Sequence, residues 1–309
     1  MVMSKIFFHD NVFQEYMTLK DCPYCHDSAN FTEIAKNPRV VRCNICGLYR
    51  LYPRMSRQGQ TAMLKKYTDK ITDLSYWNAQ LDDIDKYTLR EVKKIKQIFP
   101  RVFQNGRVLD VGCAEGTFAL ALKQAGANVV GIEPVEKLVE LGKEYELDLH
   151  VGRFEAGGIP SDLEEHSFDL IIFSGTIMYM PDLRETFDLI NPYLRHGGGL
   201  YITNPVATSL YFSINKDYSS RVGRYVAGIP TEKALRYMLS QEGYRIHKIC
   251  YYWPGYVIPV PMWVSKSSVH RVIGKGGRLA LSLFAHAIGR GDRIIVYANK
   301  IREDMNERK

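Results

Sequence analysis

No stretch of this 309-residue chain approaches the roughly 20 consecutive apolar residues that a membrane-spanning helix needs. The opening residues, MVMSKIFFHDNVFQEY, carry an early Lys5 but neither an uninterrupted apolar core nor a small-residue cleavage site, so no secretory leader is read there. Internal repeats and low-complexity tracts are missing as well. Strong charge of one sign is also lacking, because the formal net charge is only +7 with 24% charged residues and 46% hydrophobic ones. These absences leave an ordinary globular chain, expected in the cytoplasm, with one sizeable α/β core and appendages.

Cysteine is scarce, with six residues, yet four of them are concentrated at one end. Cys22-Pro23-Tyr24-Cys25 and Cys43-Asn44-Ile45-Cys46 are separated by 17 residues. Each pair can turn two sulfurs toward one point, and two such turns complete a tetrahedral four-cysteine zinc site. Disulfides are the alternative, which a cytoplasmic chain disfavours. Such a site has no open position for water, so its zinc is expected to be structural. Four thiolates and one dication also bring the net charge down to about +5, and the basic residues are dispersed, as on solvated helix faces.

The chemistry-bearing stretch is Arg107–Pro134. A short apolar strand ends at Asp110, and Val111-Gly112-Cys113-Ala114-Glu115-Gly116 follows as a glycine turn. A helical pattern runs on through Phe118, Leu120, Ala121 and Leu122, and a second strand, Val129–Ile132, closes at Glu133. Strand, glycine turn, helix, strand and terminal carboxylate make half of a doubly wound nucleotide site. The glycines let backbone pass close to a ligand, and Glu133 can take both hydroxyls of a ribose. Further strands are expected at 147–151, 168–173, 200–203, 244–252 and 293–298, with helices at 82–99, 182–194 and 231–242. The division is residues 1–60 for the N-terminal segment and ribbon, 61–100 for a helical linker or cap, and 101–309 for the α/β domain with insertions at 204–230 and 255–290. Leu48–Arg54 reads as an extended arm leaving the ribbon.

With DVGCAEG at 110–116, Glu133 closing the second strand and LIIFSGTIMYMPDL at 170–183, the sequence resembles the class I S-adenosylmethionine-dependent methyltransferases. A nicotinamide dehydrogenase would instead carry G-x-G-x-x-G in that turn. The resemblance implies a Rossmann-like seven-stranded methyltransferase sheet, here preceded by the zinc ribbon, and S-adenosylmethionine as cofactor. It further implies that Asp110, Gly112 and Gly116 shape the methionine pocket with the Cys113 and Ala114 backbone nearby. Glu133 would hold the ribose, Phe154 or Glu155 would flank the adenine, and Ser174 would close the cleft beneath the sulfonium. Cys113 itself reads as a small buried filler. Many relatives carry Glu-His after the fourth strand, where this chain has Met178-Tyr179. Tyr179 therefore replaces a histidine base as the catalytic candidate, with packing as its alternative role.

A second resemblance, in VVRCNICGLYRLYPRMS and GRGDRIIVYANK, is to bacterial methyltransferases that carry a zinc ribbon and work in small-molecule, sugar and surface-glycan pathways. It implies a small-molecule acceptor, facing Tyr179, Asn204, Asp217, Tyr218 and Tyr225, since loops after the fourth and fifth strands overhang the carboxyl edge of the sheet. Two other classes stand beside it. One is an RNA base methyltransferase with Arg42, Arg50, Arg54 and Arg57 as a phosphate-binding arm. The other is a non-catalytic binding protein of the same fold. The stretch 259–289 reads as a helix packed on the sheet with a basic face, or as a peripheral membrane contact.

Overall fold

The computed structural model describes residues 15–36, 39–155, 157–161, 163–209, 226–252, 288 and 290–301. Strands β1 (Met17–Leu19) and β5 (Arg54–Met55) pair with each other at the base of the ribbon. Between them β2 (Phe31–Lys36), β3 (Arg39–Cys43) and β4 (Tyr49–Leu51) form an antiparallel three-stranded sheet. The expected extended arm at 48–54 is thus folded: β4, a cis Tyr52–Pro53 peptide and β5 belong to the module itself.

Helices α1 (Arg57–Lys70) and α2 (Ser75–Asp82) follow, then α3 (Lys86–Ile98). The helix expected over 82–99 is α3, which begins later, at Lys86, and the cause is local. The Asp85 carboxylate accepts from the backbone N–H groups of Tyr87 and Thr88 at 2.7 and 3.0 Å, which starts a new helix rather than continuing the old one. Beyond it lie β6 (Arg107–Val111), α4 (Thr117–Gln124), β7 (Asn128–Glu133), α5 (Glu136–Glu144), β8 (Asp148–Val151), β9 (Phe168–Ser174), α6 (Leu183–Ile190), β10 (Leu194–Pro205), α7 (Glu232–Gln241), β11 (Tyr244–Tyr252) and β12 (Arg293–Lys300). The fifth strand is longer than expected because Gly197–Gly199 is absorbed into β10, with a register shift between Leu194 and Gly199.

The large sheet has the order β11-β12-β10-β9-β6-β7-β8. Neighbours from β10 to β8 are parallel, while β12 runs antiparallel to both β10 and β11. The chain reverses its winding direction between β6 and β9, and ligands of such sheets bind outside the carboxyl ends at that point. One face is covered by α3 and α4, where Val92, Ile95 and Leu122 meet Val108, Ile172, Tyr201 and Tyr297. The other carries Phe187, Ile190, Leu235 and Met238 against Leu109, Ile171, Ile202 and Val296. Burial on both faces explains why β9 reads as a continuous apolar run.

One polar network is sealed under α3. Glu91 is fully buried, meets Lys94 Nζ at 2.7 Å, and accepts from the Tyr201 and Tyr297 hydroxyls at 3.3 and 3.1 Å. Glu91→Ala leaves both hydroxyls unpaired, and the expected cost is about 3 kcal/mol. Thermal denaturation should show a lower midpoint, with Tyr201→Phe on that background nearly neutral.

Candidate active site

A cavity of about 480 Å³ opens at the carboxyl ends of β6, β7 and β9. This lies within the roughly 300–1,000 Å³ of small-molecule sites. Its floor is Val111, Gly112, Ile132 and Glu133, its far wall is Ser174, Gly175 and Thr176, and Gly152–Glu155 closes one side. The roof is apolar and aromatic, with Met63, Leu64 and Tyr67 from α1 and Tyr76 and Trp77 from α2. The sequence reading did not assign α1 and α2 to the site. Its one signal was three aromatics in an otherwise polar stretch.

The floor is shaped by the glycine turn. Gly112 N and Cys113 N both donate to Ile132 O, at 2.7 and 3.2 Å, which folds the turn back against β7. Gly112 has φ +73°, and a Cβ there would stand 2.4 Å from Thr176 Cγ2. Thr176 is itself held by its hydroxyl on Val111 O at 2.8 Å. Gly112→Ala should therefore push Thr176 and the wall after β9 outward. We expect a stability loss of about 2 kcal/mol from backbone strain and contact, and loss of cofactor affinity by calorimetry.

The electrostatics are acidic. Asp110 is 1% exposed, and neither carboxylate oxygen has a hydrogen-bond partner. Burial, then the charges of Glu133 and Glu115, pushes it up to about 7. Glu133 is buried too, with Oε2 accepting from Ala114 N and Oε1 from Val135 N, each at 3.1 Å. Burial pushes Glu133 up to about 7 against the pull of those two backbone bonds. Each oxygen keeps a lone pair for a hydroxyl donor.

Among the other expected residues, Ala114, Phe154, Glu155 and Ser174 line the cavity, as does Tyr179. Phe154 is fixed edge-on to Tyr193 with 5.9 Å between ring centres, and Glu155 is paired to Arg153 at 3.1 Å. Tyr179 also packs on the Tyr49, Met178 and Ile229 cluster. Asp110, Cys113 and Gly116 do not line it. Cys113 packs beneath the turn against Leu147 and Leu149, and burial pushes its thiol up. Gly116, at φ +93°, caps the start of α4. Asn204 is fully buried at the end of β10 with both amide atoms unpartnered, outside the lining. Asp217, Tyr218 and Tyr225 lie outside the described residues, as does most of 255–290.

The four ribbon cysteines come together. Their sulfurs all lie within 4.8 Å of one another, with Cys22–Cys46 at 3.5 Å and Cys25–Cys43 at 3.4 Å, and none forms a disulfide. A zinc tetrahedron with 2.3 Å bonds has edges of about 3.8 Å, so the sulfur set fits that ion. The module is docked rather than free. Pro23 O accepts from Leu183 N at 2.6 Å, Tyr24 OH donates to Glu242 at 2.7 Å, and Tyr49 and Ile229 exchange backbone hydrogen bonds. Of the expected phosphate arm, Arg42 is exposed, but Arg50 and Arg54 are buried. Arg50 donates to the Lys20 and Asp21 carbonyls, and Arg54 to Asp21 and to Pro181 O at 3.0 Å. Arg57 pairs with Glu185 and Glu155. Arg54 and Arg57 brace the ribbon against the wall of the cavity and Arg50 is turned into the module, which corrects the reading of Arg50 and Arg54 as part of a nucleic-acid arm.

A seven-stranded sheet with this order, one reversed strand and a glycine turn beside a buried carboxylate defines the class I S-adenosylmethionine-dependent methyltransferase fold. Residues 103–243 match the family model described as methyltransferase domain. Among solved structures, an S-adenosylmethionine-dependent methyltransferase from Thermotoga maritima, a possible histamine N-methyltransferase, superposes over 77% of this chain and 99% of its own with a TM-score of 0.53 and 18% identity. The mitochondrial ubiquinone biosynthesis O-methyltransferase of Homo sapiens is 28% identical over 39% of this chain and 34% of its own. The corresponding enzyme of Xylella fastidiosa is 27% identical over 49% and 62%. An O-antigen chain terminator bifunctional methyltransferase/kinase of Escherichia coli is 39% identical over 21% of this chain and 10% of its own. The chain thus spans about a third of the human relative and less than two thirds of the bacterial one. Among the described residues no helix is long and apolar enough to cross a membrane.

Proposed function

We propose that the chain methylates a small molecule, a sugar or surface-glycan or natural-product intermediate, in the cytoplasm, with a structural zinc in its ribbon. The observation that carries this reading is a cavity floored by the doubly anchored Glu133 under an aromatic roof, with the unpartnered Asp110 carboxylate buried behind its Val111–Gly112 floor. Asp110 offers a counter-charge for the ammonium of a methionine moiety. Glu133 takes ribose hydroxyls on its remaining lone pairs, and Phe154 and the Glu155 backbone flank a base. S-adenosylmethionine, when bound, supplies an electrophilic methyl on a sulfonium. The protein's part is to align the acceptor about 3 Å from that carbon and keep water out. Tyr179 orients the acceptor from the wall after β9. The RNA reading is disfavoured by the burial of Arg50 and Arg54, whose guanidinium groups are turned into the protein. Calorimetric titration of the zinc-loaded chain with S-adenosylmethionine and its demethylated product tests the proposal. Saturable one-to-one binding is expected, and its absence would remove the enzyme reading.

A further inference from the structure

Next to the far wall stands a cation that the cofactor does not require. Arg293 opens β12, and its Nη2 is 3.4 Å from where a Cβ of Gly175 would be. Among the described residues, chain neighbours of Gly175 aside, it is the one atom within 4 Å of that position; Arg293 does not itself line the cavity, and Gly175, which does, stands between the two. The Arg293 Nε is buried without a hydrogen-bond partner, and no described carboxylate forms an ion pair with it. Of the buried acids on that face of the sheet, Glu91 is committed to Lys94, Tyr201 and Tyr297, and Asp110 lies on β6, three strands away from β12. Pairing Pro205 with Arg293 and Thr203 with Ile295 places Thr203 two residues along the same face. Thr203 is 1% exposed, and its hydroxyl is also buried and unpartnered. A half-buried guanidinium with an idle donor, beside an idle hydroxyl, is costly unless something supplies acceptors.

We propose that the methyl acceptor carries an anionic group, a carboxylate or a phosphate, which Arg293 binds past Gly175 with the Thr203 hydroxyl as second donor. This rests on the methyltransferase reading above and gives the acceptor its charge class. The arrangement also fits the field of the site. A guanidinium close to a sulfonium is repulsive, and an anion lodged between them is attracted to both. Arg suits the role because its planar fork meets carboxylate or phosphate oxygens in pairs.

The test uses the zinc-loaded chain saturated with S-adenosylhomocysteine and titrated with benzoate, with inorganic phosphate and with neutral benzamide. Saturable binding of benzoate or of phosphate is expected, and the stronger of the two identifies the source of the charge; benzamide should bind at least about tenfold more weakly. Arg293→Gln should weaken the anion by about tenfold while the affinity for S-adenosylhomocysteine is preserved, and Arg293→Lys should retain part of the binding. Should Arg293→Gln fail to fold, Thr203→Val and the benzoate–benzamide comparison on the wild-type chain carry the decision. Equal binding of benzoate and benzamide, no binding of either anion, or an unchanged anion affinity in a folded Arg293→Gln would overturn the proposal. Failure of the wild-type chain to take up S-adenosylhomocysteine is a separate outcome, and it would overturn the methyltransferase reading and this proposal with it.

Discussion

Cys46→Ser is expected to abolish stoichiometric zinc and to lower the thermal midpoint of the whole chain by more than about 10 °C. Structural zinc in small modules carries an apparent binding free energy of about 10–16 kcal/mol, and in a chain of this size each 1 kcal/mol moves the midpoint by roughly 2–4 °C. Retaining even half of that coupling is enough. The coupling exists because the ribbon has no core of its own. Cys22, Tyr24, Cys43, Cys46 and Leu48 are buried in the same cluster as Phe187, Leu235 and Met238, and that cluster backs the sheet. Loss of the metal should also reach the cavity, because the knuckle carbonyl of Pro23 and the Arg54 guanidinium hold Leu183 and Pro181. Metal analysis, calorimetric denaturation and titration with S-adenosylhomocysteine check the three parts. A zinc-free variant with an unchanged midpoint would show that the ribbon is an independent appendage.

That coupling is the kind of fact a sequence does not display. The sheet was readable because its signals are local: β11 falls on 244–252 as expected, and the glycine turn, Asp110 and Glu133 are contiguous with their strands. The zinc ligands were readable because two short spacings constrain four sulfurs. The basic arm was misread because charge on paper says nothing of where a side chain goes. Arg50 and Arg54 find backbone carbonyls of Lys20, Asp21 and Pro181, and no residue pattern announces a carbonyl. The roof was missed for a related reason. Gln60, Tyr67 and Trp77 reach a cavity formed by residues up to 181, a contact between elements distant in sequence. Asn204 was chosen for its position at a strand end, and position at an edge does not distinguish a lining residue from one sealed behind it. Arg293 went unnoticed because the first residue of a last strand has no local reason to approach the turn after β9.

Asp110→Asn should raise stability and destroy function at the same pH. Without cofactor Asp110 and Glu133 both stand near 7, well above their ordinary values of 3.8 and 4.5, mainly because burial penalises the charge. The unfolded chain releases these protons at lower pH than the folded one does. The folded state therefore binds more protons between about pH 4 and pH 7, and its stability falls as pH rises through that window. The wild-type chain without cofactor is expected to melt at a lower temperature at pH 8 than at pH 6. Asparagine, which is isosteric and uncharged, removes the Asp110 share, so the variant should melt higher than wild type at pH 8, with a flatter pH profile. Cofactor binding should run the other way. An ammonium across the Val111–Gly112 floor from Asp110 favours the ionised carboxylate, so wild-type affinity should rise from pH 6 to pH 8 with release of protons. In Asp110→Asn that rise should shrink, and affinity at pH 8 should fall by about a hundredfold, or about 2.7 kcal/mol. Opposite signs for stability and binding mark a carboxylate kept buried for a ligand rather than for the fold. A variant that melts lower at pH 8 yet binds S-adenosylmethionine as tightly as wild type would assign Asp110 to the scaffold instead.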